Sequence, residues 1–300
     1  MTDIQKQRSL GTLALMQIAS GGSAGFVEVC LMHPLDLVKT RFQIQKGPDD
    51  PNRYKSIVDC FKKMYRQEGA LSFYKGLLPP ILAETPKRAV KFFTFEQYKS
   101  LFLFGASSPT PVTFALAGLC SGLTEGFLIN PFEVVKVKLQ ADRQLFSQQL
   151  SAIQMAKTIY GENGFGSSGL NKGLTSTLLR HGIWNMIYFG LYHNLKNVVP
   201  IQKDQNMELG RKFVLGLMAG SIASTANIPF DVAKSRIQGP QPETGIKYKS
   251  CLQTIRLVYK EEGYLALYKG LLPKLLRLGP GGAIMLMVFD TVYEKLQNWF

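Results

Sequence analysis

The chain has 300 residues and a formal net charge of +14 at pH 7, yet only 19% of its residues are charged, against a usual ~25%. Its lysines and arginines are spread along the sequence without a dense basic tract or a zinc-finger or RNP-like signature, which argues against a nucleic-acid partner. The four cysteines have no C-x-x-C spacing, so neither a disulfide framework nor a metal site is expected.

The first third of the chain contains four predicted elements. An apolar segment rich in small residues covers Ser20–Met32 and leads into Pro34. A loop near 47–52 and an amphipathic helix over Tyr54–Arg66 follow. A second long apolar segment begins near Lys75-Gly76. Each long segment can supply the ~20 residues that cross ~30 Å of hydrocarbon, so we predict two transmembrane helices here.

The same order of elements returns twice. The apolar segments before the prolines and the short amphipathic helices after them are Leu116–Asn130 with Leu150–Tyr160, and Leu215–Ile228 with Tyr248–Lys260. Loops rich in proline and glycine lie near 105–111 and 239–245. We therefore predict a single all-α membrane domain of six transmembrane helices and three short helices, in repeats near 11–104, 111–199 and 209–300.

Glycines spaced four residues apart lie on the first helix of each repeat. They are Gly21 and Gly25, then Gly118, Gly122 and Gly126, and finally Gly216 and Gly220. In lipid, such ridges of small residues let helix backbones approach each other closely. We expect close helix–helix contacts at all three ridges.

A motif of the form P-x-[DE]-x-x-K occurs once in each repeat, with its copies 97 and 98 residues apart. Each copy continues to a glutamine nine residues after its proline. The acids, lysines and glutamines of the three copies are Asp36, Lys39 and Gln43, then Glu133, Lys136 and Gln140, and finally Asp231, Lys234 and Gln238.

The physical role of this motif follows from helix geometry. A proline inside a helix removes one hydrogen bond and kinks the helix. The acid and the lysine are three residues apart, so they share one helix face. Three acids and three lysines at one depth can form a ring of inter-helix ion pairs, each worth up to ~4 kcal/mol at an effective dielectric of 20. Because buried ion pairs add little to stability, we interpret the ring as a gate rather than a static packing network.

The motif and a second element, [DE]-G-x4-[YWF]-[KR]-G, resemble the mitochondrial carrier family over essentially the whole chain. The second element reads Glu68-Gly69 to Tyr74-Lys75-Gly76 in the first repeat and Glu262-Gly263 to Tyr268-Lys269-Gly270 in the last. The middle repeat departs from it, because two extra residues separate Asn163-Gly164 from Asn171-Lys172-Gly173.

The resemblance implies six tilted helices around a central cavity in the mitochondrial inner membrane. It also implies a matrix-side gate made by the motif acids and lysines, with the three glutamines as braces beneath it. The resemblance further implies cardiolipin as a lipid partner, a monomer, no cofactor and no enzymatic activity.

The family has a second gate on the opposite side, with the pattern [FY]-[DE]-x-x-[RK] on the second helix of each repeat. Here the first copy is complete, the second lacks its acid and the third lacks its base. The corresponding residues are Glu96, Lys99, Lys196, Asp290 and Tyr293. We expect this gate to be the weaker one, so that the empty carrier opens readily toward the intermembrane space.

Polar residues at helical spacing on the second helix of each repeat predict the ligand contacts. They are Glu84, Lys87, Arg88, Lys91, Arg180, His181 and Arg277. Cations at membrane depth are rare and usually functional, and several that converge on one cavity predict a small anion with more than one charge.

The adjacent pair Arg180 and His181 resembles the version of the family contact site that takes keto acids. There the arginine binds a carboxylate and its neighbour hydrogen-bonds the oxo oxygen. The resemblance implies antiport of C5–C7 oxodicarboxylates, such as 2-oxoadipate and 2-oxoglutarate, by alternating access.

Three alternatives stay open. The chain could carry another di- or tricarboxylate, such as malate or citrate, or another anion such as phosphate. It could also be a membrane scaffold that transports nothing, although the three intact motif copies argue against that. An enzyme is disfavoured, because His33, His181 and His193 have no metal-ligand spacing and no P-loop or Rossmann glycine pattern is present.

Overall fold

A computed structural model describes residues 10–45, 53–105, 108–241 and 245–299. These residues form nine α-helices and no strand, so the prediction of an all-α protein is confirmed for them. The helices are α1 (Leu10–Ile44), α2 (Ile57–Glu68), α3 (Leu78–Leu101), α4 (Pro111–Ala141), α5 (Ala152–Asn163), α6 (Leu174–Val198), α7 (Gln205–Gln238), α8 (Cys251–Glu262) and α9 (Leu271–Trp299). The predicted loops near 47–52, 105–111 and 239–245 lie wholly or partly outside the described residues.

Local capping sets the ends of the short helices α2, α5 and α8. The hydroxyl of Ser56 accepts a hydrogen bond from the backbone N–H of Asp59, so α2 begins at Ile57 and not at the predicted Tyr54. Ser151 and Gln154 form a reciprocal capping box at the start of α5. Each short helix is followed by a glycine with positive φ, a conformation that other residues adopt only with strain.

The six long helices form a closed ring in which each contacts the next. In order around the ring they are α1, α3, α4, α6, α7 and α9, and α9 packs back against α1. Helices α2, α5 and α8 connect the two long helices of each third of the chain and pack at one end of this ring. We call that end the short-helix end and the other the opposite end.

The tightest apolar packing lies at the short-helix end. Three buried clusters occur there, each of which joins one short helix to the motif-bearing helix before it. They centre on Leu37, Val38, Cys60 and Met64 in the first third, on Val134, Val135, Leu139 and Ile159 in the middle, and on Ile237, Tyr248, Val258 and Leu267 in the last. In the first two thirds these clusters hold the residue next to the motif acid, which is Leu37 beside Asp36 and Val134 beside Glu133.

The expected close contact at glycine ridges holds for α4. A Cβ added at Gly118 would lie 2.6 Å from the backbone oxygen of Asn185, and one at Gly122 would lie 2.4 Å from that of His181. The backbones of α4 and α6 therefore touch along this ridge. The expectation is wrong for Gly21 on α1, where an added Cβ meets nothing within 4 Å.

Three helical segments are long and apolar enough to cross a membrane by length and composition alone. They are Pro111–Ala141, Met207–Gln238 and Tyr264–Gln297. The sequence analysis predicts six spans. Of the other three long helices of the described chain, α3 carries four charged side chains, Glu84, Lys87, Arg88 and Lys91, within eight residues.

Candidate functional site

The six motif residues meet near the short-helix end of the ring. Each lysine forms an ion pair with the acid of a different helix, so that α1, α4 and α7 are joined in a closed cycle. The Nζ–Oδ2 distances are 3.3 Å for Lys136 with Asp36 and 3.2 Å for Lys39 with Asp231, and Lys234 pairs with Glu133. We call this cycle the ion-pair ring.

Each acid of the ion-pair ring also contacts a cation from α6 or α9. Asp36 lies 3.1 Å from Arg277 and Asp231 lies 2.6 Å from Lys274, both on α9. Arg180 on α6 bridges the other junction, at 3.2 Å from Glu133 and 3.6 Å from Asp231. Three carboxylates therefore face six cations at this level.

The three glutamines lie buried below the ring but do not all make the same contact. Gln140 accepts a hydrogen bond from Thr40 and Gln43 accepts one from Ser235, both at 2.7 Å. At the position that Thr40 and Ser235 occupy in the other two repeats, the middle repeat has Val137, which has no hydroxyl group to donate to Gln238. Gln238 instead donates to Asn130 at 3.1 Å. The glutamines thus join neighbouring helices through hydroxyl and amide groups.

Above the ring, His181 and Lys91 converge on a buried glutamate. His181 Nδ1 lies 3.1 Å and Lys91 Nζ lies 3.6 Å from the carboxylate of Glu125, which also accepts a hydrogen bond from Asn185 at 3.1 Å. The Nε2 atom of His181 faces the Arg180 guanidinium, which donates to it. Both ring nitrogens of His181 are therefore engaged.

A second group of charges lies between α1, α3 and α9. Arg88 pairs with Glu84 at 2.5 Å and with Glu28 at 2.9 Å. Glu28 also lies 3.0 Å from Arg277, and Lys87 pairs with Glu84 at 2.9 Å. Together with the ion-pair ring and the Glu125 group, nine lysines and arginines face six carboxylates, so the site holds an excess of three positive charges.

The structure gathers most of the predicted ligand contacts around one cavity. Its lining includes Glu84, Lys87, Arg180, His181 and Arg277 together with all six residues of the ion-pair ring. Lys91 and Arg88 are not part of that lining. Arg88 pairs with Glu84, which lines the cavity, and Lys91 pairs with Glu125, which contacts the lining residue His181. Among the described residues, no group of three or more His, Cys, Asp or Glu side chains has a metal-binding arrangement.

The sequence analysis missed Glu28, Glu125 and Lys274. Glu28 and Glu125 lie six residues before Pro34 and Pro131, inside segments that were interpreted only for their glycines. A single acid within an apolar helix was the available signal, because such a group needs a partner at membrane depth.

The opposite end of the ring has no equivalent cycle. Glu96 pairs with Lys99 on its own helix, where the glutamate side chain is 60% exposed. Tyr293 stacks on Phe289 of the same helix, with ring centroids 5.8 Å apart. Within the described part of the chain, no ion pair joins Glu96, Lys99, Lys196 or Asp290 across helices. The structure therefore does not bring the predicted residues of the second gate together.

His193 occupies the position where the second gate lacks its acid. Its ring stacks on Phe114, with centroids 3.7 Å apart and an angle of 1° between the planes. Phe95 and Phe189 lie 6.2 Å and 6.4 Å from it. This side chain packs between α4 and α6 in an aromatic cluster.

Comparison with known proteins gives concordant results. The family described as mitochondrial carrier protein matches this chain three times, over residues 12–105, 107–203 and 205–299. A Homo sapiens protein named mitochondrial 2-oxodicarboxylate carrier is 62% identical over 293 residues, which cover 97% of this chain and 98% of that protein.

Two fungal proteins are more distant. A Saccharomyces cerevisiae protein named mitochondrial 2-oxodicarboxylate carrier 2 is 38% identical over 95% of this chain and 94% of its own length. An Aspergillus niger protein named mitochondrial citrate transporter D is 39% identical over 94% of each chain. Because the family matches together span nearly every residue, this chain belongs to the mitochondrial carrier family.

Proposed function

We propose that this protein exchanges 2-oxodicarboxylates, such as 2-oxoadipate, 2-oxoglutarate and related C5–C7 oxodicarboxylates, across the mitochondrial inner membrane. The observation that carries the proposal is the cavity, whose lining and adjoining charged groups together hold an excess of three positive charges. The relatives named as mitochondrial 2-oxodicarboxylate carriers support the substrate class.

Two arginines of the cavity each have a side-chain donor that makes no hydrogen bond within the described residues. The Nε atoms of Arg180 and Arg277 are buried and have no hydrogen-bond partner among the described residues. Buried donors of this kind are costly, which favours a ligand that accepts from them. A dicarboxylate has two separated planar groups, and each fits the fork of one guanidinium.

Arg180 links substrate binding to the ion-pair ring. In the structure it contacts Glu133 and Asp231, the acids of two of the three ring pairs. A substrate carboxylate that binds Arg180 competes with these acids and so weakens the ring from the cavity side. Once Arg180 no longer donates to Nε2 of His181, that nitrogen can take up a proton from water and donate a hydrogen bond to the oxo oxygen of the substrate.

Antiport follows from the same charges. An empty site with an excess of three positive charges is costly to enclose in a medium of low dielectric. A bound dianion neutralises two of them, so the occupied protein closes more readily than the empty one.

The architecture we propose is a single, monomeric carrier domain of six transmembrane helices in three repeats, with cardiolipin at its lipid face. Support comes from the closed helical ring and from the three family matches. Large apolar side chains such as Phe26, Phe92, Phe93 and Phe127 are exposed on the long helices, as a lipid-facing surface requires. In this arrangement the short-helix end faces the matrix.

Exchange in reconstituted liposomes tests the proposal. Vesicles loaded with 2-oxoglutarate should take up labelled 2-oxoadipate or 2-oxoglutarate, whereas unloaded vesicles should not. Rapid uptake into unloaded vesicles would contradict antiport. Absence of oxodicarboxylate exchange beside fast citrate or malate exchange would contradict the substrate class.

A tricarboxylate is the second candidate. It is favoured by the similarity to the Aspergillus niger protein named as a citrate transporter. The excess of three charges in the cavity would also suit a trianion. Direct competition decides between the two: unlabelled citrate should inhibit 2-oxoglutarate uptake only weakly if the first proposal is correct.

A further inference from the structure

Comparison of the three repeats shows a group of buried charges at the short-helix end, outside the central cavity. In the first third, Arg41 and Lys75 hold one buried carboxylate between them. Both outer nitrogens of Arg41 donate to Glu68 at 2.8 Å, and Lys75 donates to it at 2.5 Å. All three side chains are essentially inaccessible to solvent. The same cations also donate to backbone carbonyls at the end of α4, including that of Asp142.

The last third repeats this arrangement. Arg236 donates to both oxygens of Glu262, and Lys269 donates to the same carboxylate at 2.6 Å. Arg236 and Lys269 also reach the backbone oxygen of Gln45 at the end of α1. In two of the three repeats, therefore, an internal carboxylate bridges a pair of cations at the short-helix end.

The middle third keeps the cations but lacks the carboxylate. Lys138 lies seven residues after Pro131, as Arg41 does after Pro34, and Lys172 precedes a glycine as Lys75 does. Helix α5 ends at Asn163, where α2 and α8 end at glutamates. Asn163 is an amide and points into solvent. Within the described chain, neither ammonium group has an acidic partner or a backbone carbonyl as its acceptor.

The two lysines are close enough to repel each other. Burial and the neighbouring Lys138 ammonium together lower the pKa of Lys172. Both side chains remain partly accessible to solvent, so a solute can reach them. The longer loop after Gly164 also places no acid at the position that Glu68 and Glu262 occupy in the other repeats.

We propose that Lys138 and Lys172 bind an external oxyanion, the carboxylate or phosphate group of a ligand, at the place where the other two repeats hold an internal glutamate. The site is distinct from the transport cavity, because neither lysine lines that cavity. The oxyanion completes the third cation–anion–cation bridge and so stabilises the contact between the loop before α6 and the end of α4. The source is either a free anion or the headgroup of an anionic lipid.

Thermal unfolding of the purified full-length protein in detergent tests this site. The Tm is measured with sodium phosphate and with sodium chloride at equal ionic strength. Phosphate should raise the Tm of the wild type by about 2–4 °C and the effect should saturate. The double variant Lys138→Gln/Lys172→Gln should lose this rise.

Two further variants separate the site from general charge effects. Asn163→Glu supplies a carboxylate at the sequence position of Glu68 and Glu262, from which it can turn toward the two lysines, so it should raise the Tm in chloride and reduce the additional effect of phosphate. Asn163→Gln adds no charge and should behave as the wild type does. Lys260→Gln, which removes an exposed lysine of α8, should retain the full phosphate effect.

The source is resolved by replacing phosphate with short-chain phosphatidylglycerol and, as its neutral control, phosphatidylcholine. A lysine-dependent rise with free phosphate assigns a soluble anion, and one that occurs only with phosphatidylglycerol assigns a lipid headgroup. The proposal is overturned if neither probe raises the Tm of the wild type, or if the rise is equal in the double lysine variant. Because the readout is unfolding and not transport, these outcomes do not depend on which substrate is carried.

Discussion

The two ends of the helical ring carry related sequence patterns but differ in how their charges pair. At the short-helix end, three acids and three lysines form ion pairs between helices, and further cations from α6 and α9 reinforce them. At the opposite end, Glu96 pairs with Lys99 on its own helix and His193 packs among aromatic rings. Among the described residues, inter-helix ion pairs of the repeated charges therefore join the helices at the short-helix end, and none does so at the opposite end.

This difference indicates that inter-helix pairing needs both a complete set of charges and an element that presents them inward. At the short-helix end, buried clusters such as Leu37 with Met64 hold the residues next to the motif acids in place. At the opposite end, one acid and one base are missing from the pattern. An ion pair contributes much less when water reaches it. The incomplete and exposed set of charges at the opposite end should therefore hold the helices together only weakly.

The largest effect is expected where the cavity meets the closed end. Arg180→Ala should reduce oxodicarboxylate exchange by about 100-fold, because truncation of one partner in a buried charge network costs about 2–5 kcal/mol. The exchange rate of Arg180→Lys should lie between those of the wild type and Arg180→Ala, since lysine keeps the charge but loses the bidentate fork. Exchange is measured in liposomes and folding is followed by Tm.

The matched control is Arg256→Ala, which removes an exposed arginine of α8 and should leave exchange unchanged. Wild-type exchange in the Arg180→Ala variant, with its Tm preserved, would refute the assignment of Arg180 to the substrate site.

Much of this comparison was predictable from sequence. The three motif copies identified the six residues of the ion-pair ring, because fixed spacing on kinked helices of similar length places them at similar depth. Periodicity could not reveal that Arg180 and Arg277 contact the ring acids, since such contacts depend on how α6 and α9 pack beside their neighbours. Nor could it reveal Glu125 as the partner of His181, because the two residues lie on different helices. The different partner of Gln238 follows from Val137, a single departure from symmetry.

The next-largest effect is expected when an acid of the ion-pair ring is replaced, and it should exceed the effect of replacing a lysine of the ring. Asp36→Asn leaves two cations, Lys136 and Arg277, without their common partner. Lys136→Gln leaves Asp36 still paired with Arg277. We therefore expect Asp36→Asn to lower the Tm and to slow exchange by roughly tenfold, and Lys136→Gln to do less, because an uncompensated buried charge is the costly product. Equal effects of the two variants would show that Arg277 does not support Asp36.

Accessibility should distinguish the two ends directly. In a background without the four native cysteines, Tyr192→Cys near the opposite end should react quickly with a hydrophilic maleimide in the absence of substrate. Ser235→Cys, next to Lys234 and only 4% exposed, should react at least several-fold more slowly. Protection of Cys at position 192 without substrate would contradict an open opposite end.

A smaller effect is expected from the hydroxyl groups that bind the glutamines. Thr40→Val removes the 2.7 Å hydrogen bond to Gln140 and makes the first repeat resemble the middle one, which has Val137 at this position. Loss of one buried hydrogen bond costs about 1 kcal/mol, which corresponds to a fall in Tm of about 2–4 °C. Thr40→Ser keeps the hydroxyl and should retain most of the stability. If Thr40→Val and Thr40→Ser lower the Tm equally, the methyl group and not the hydrogen bond stabilises this junction of α1 with α4, and Gln140 does not act as a brace.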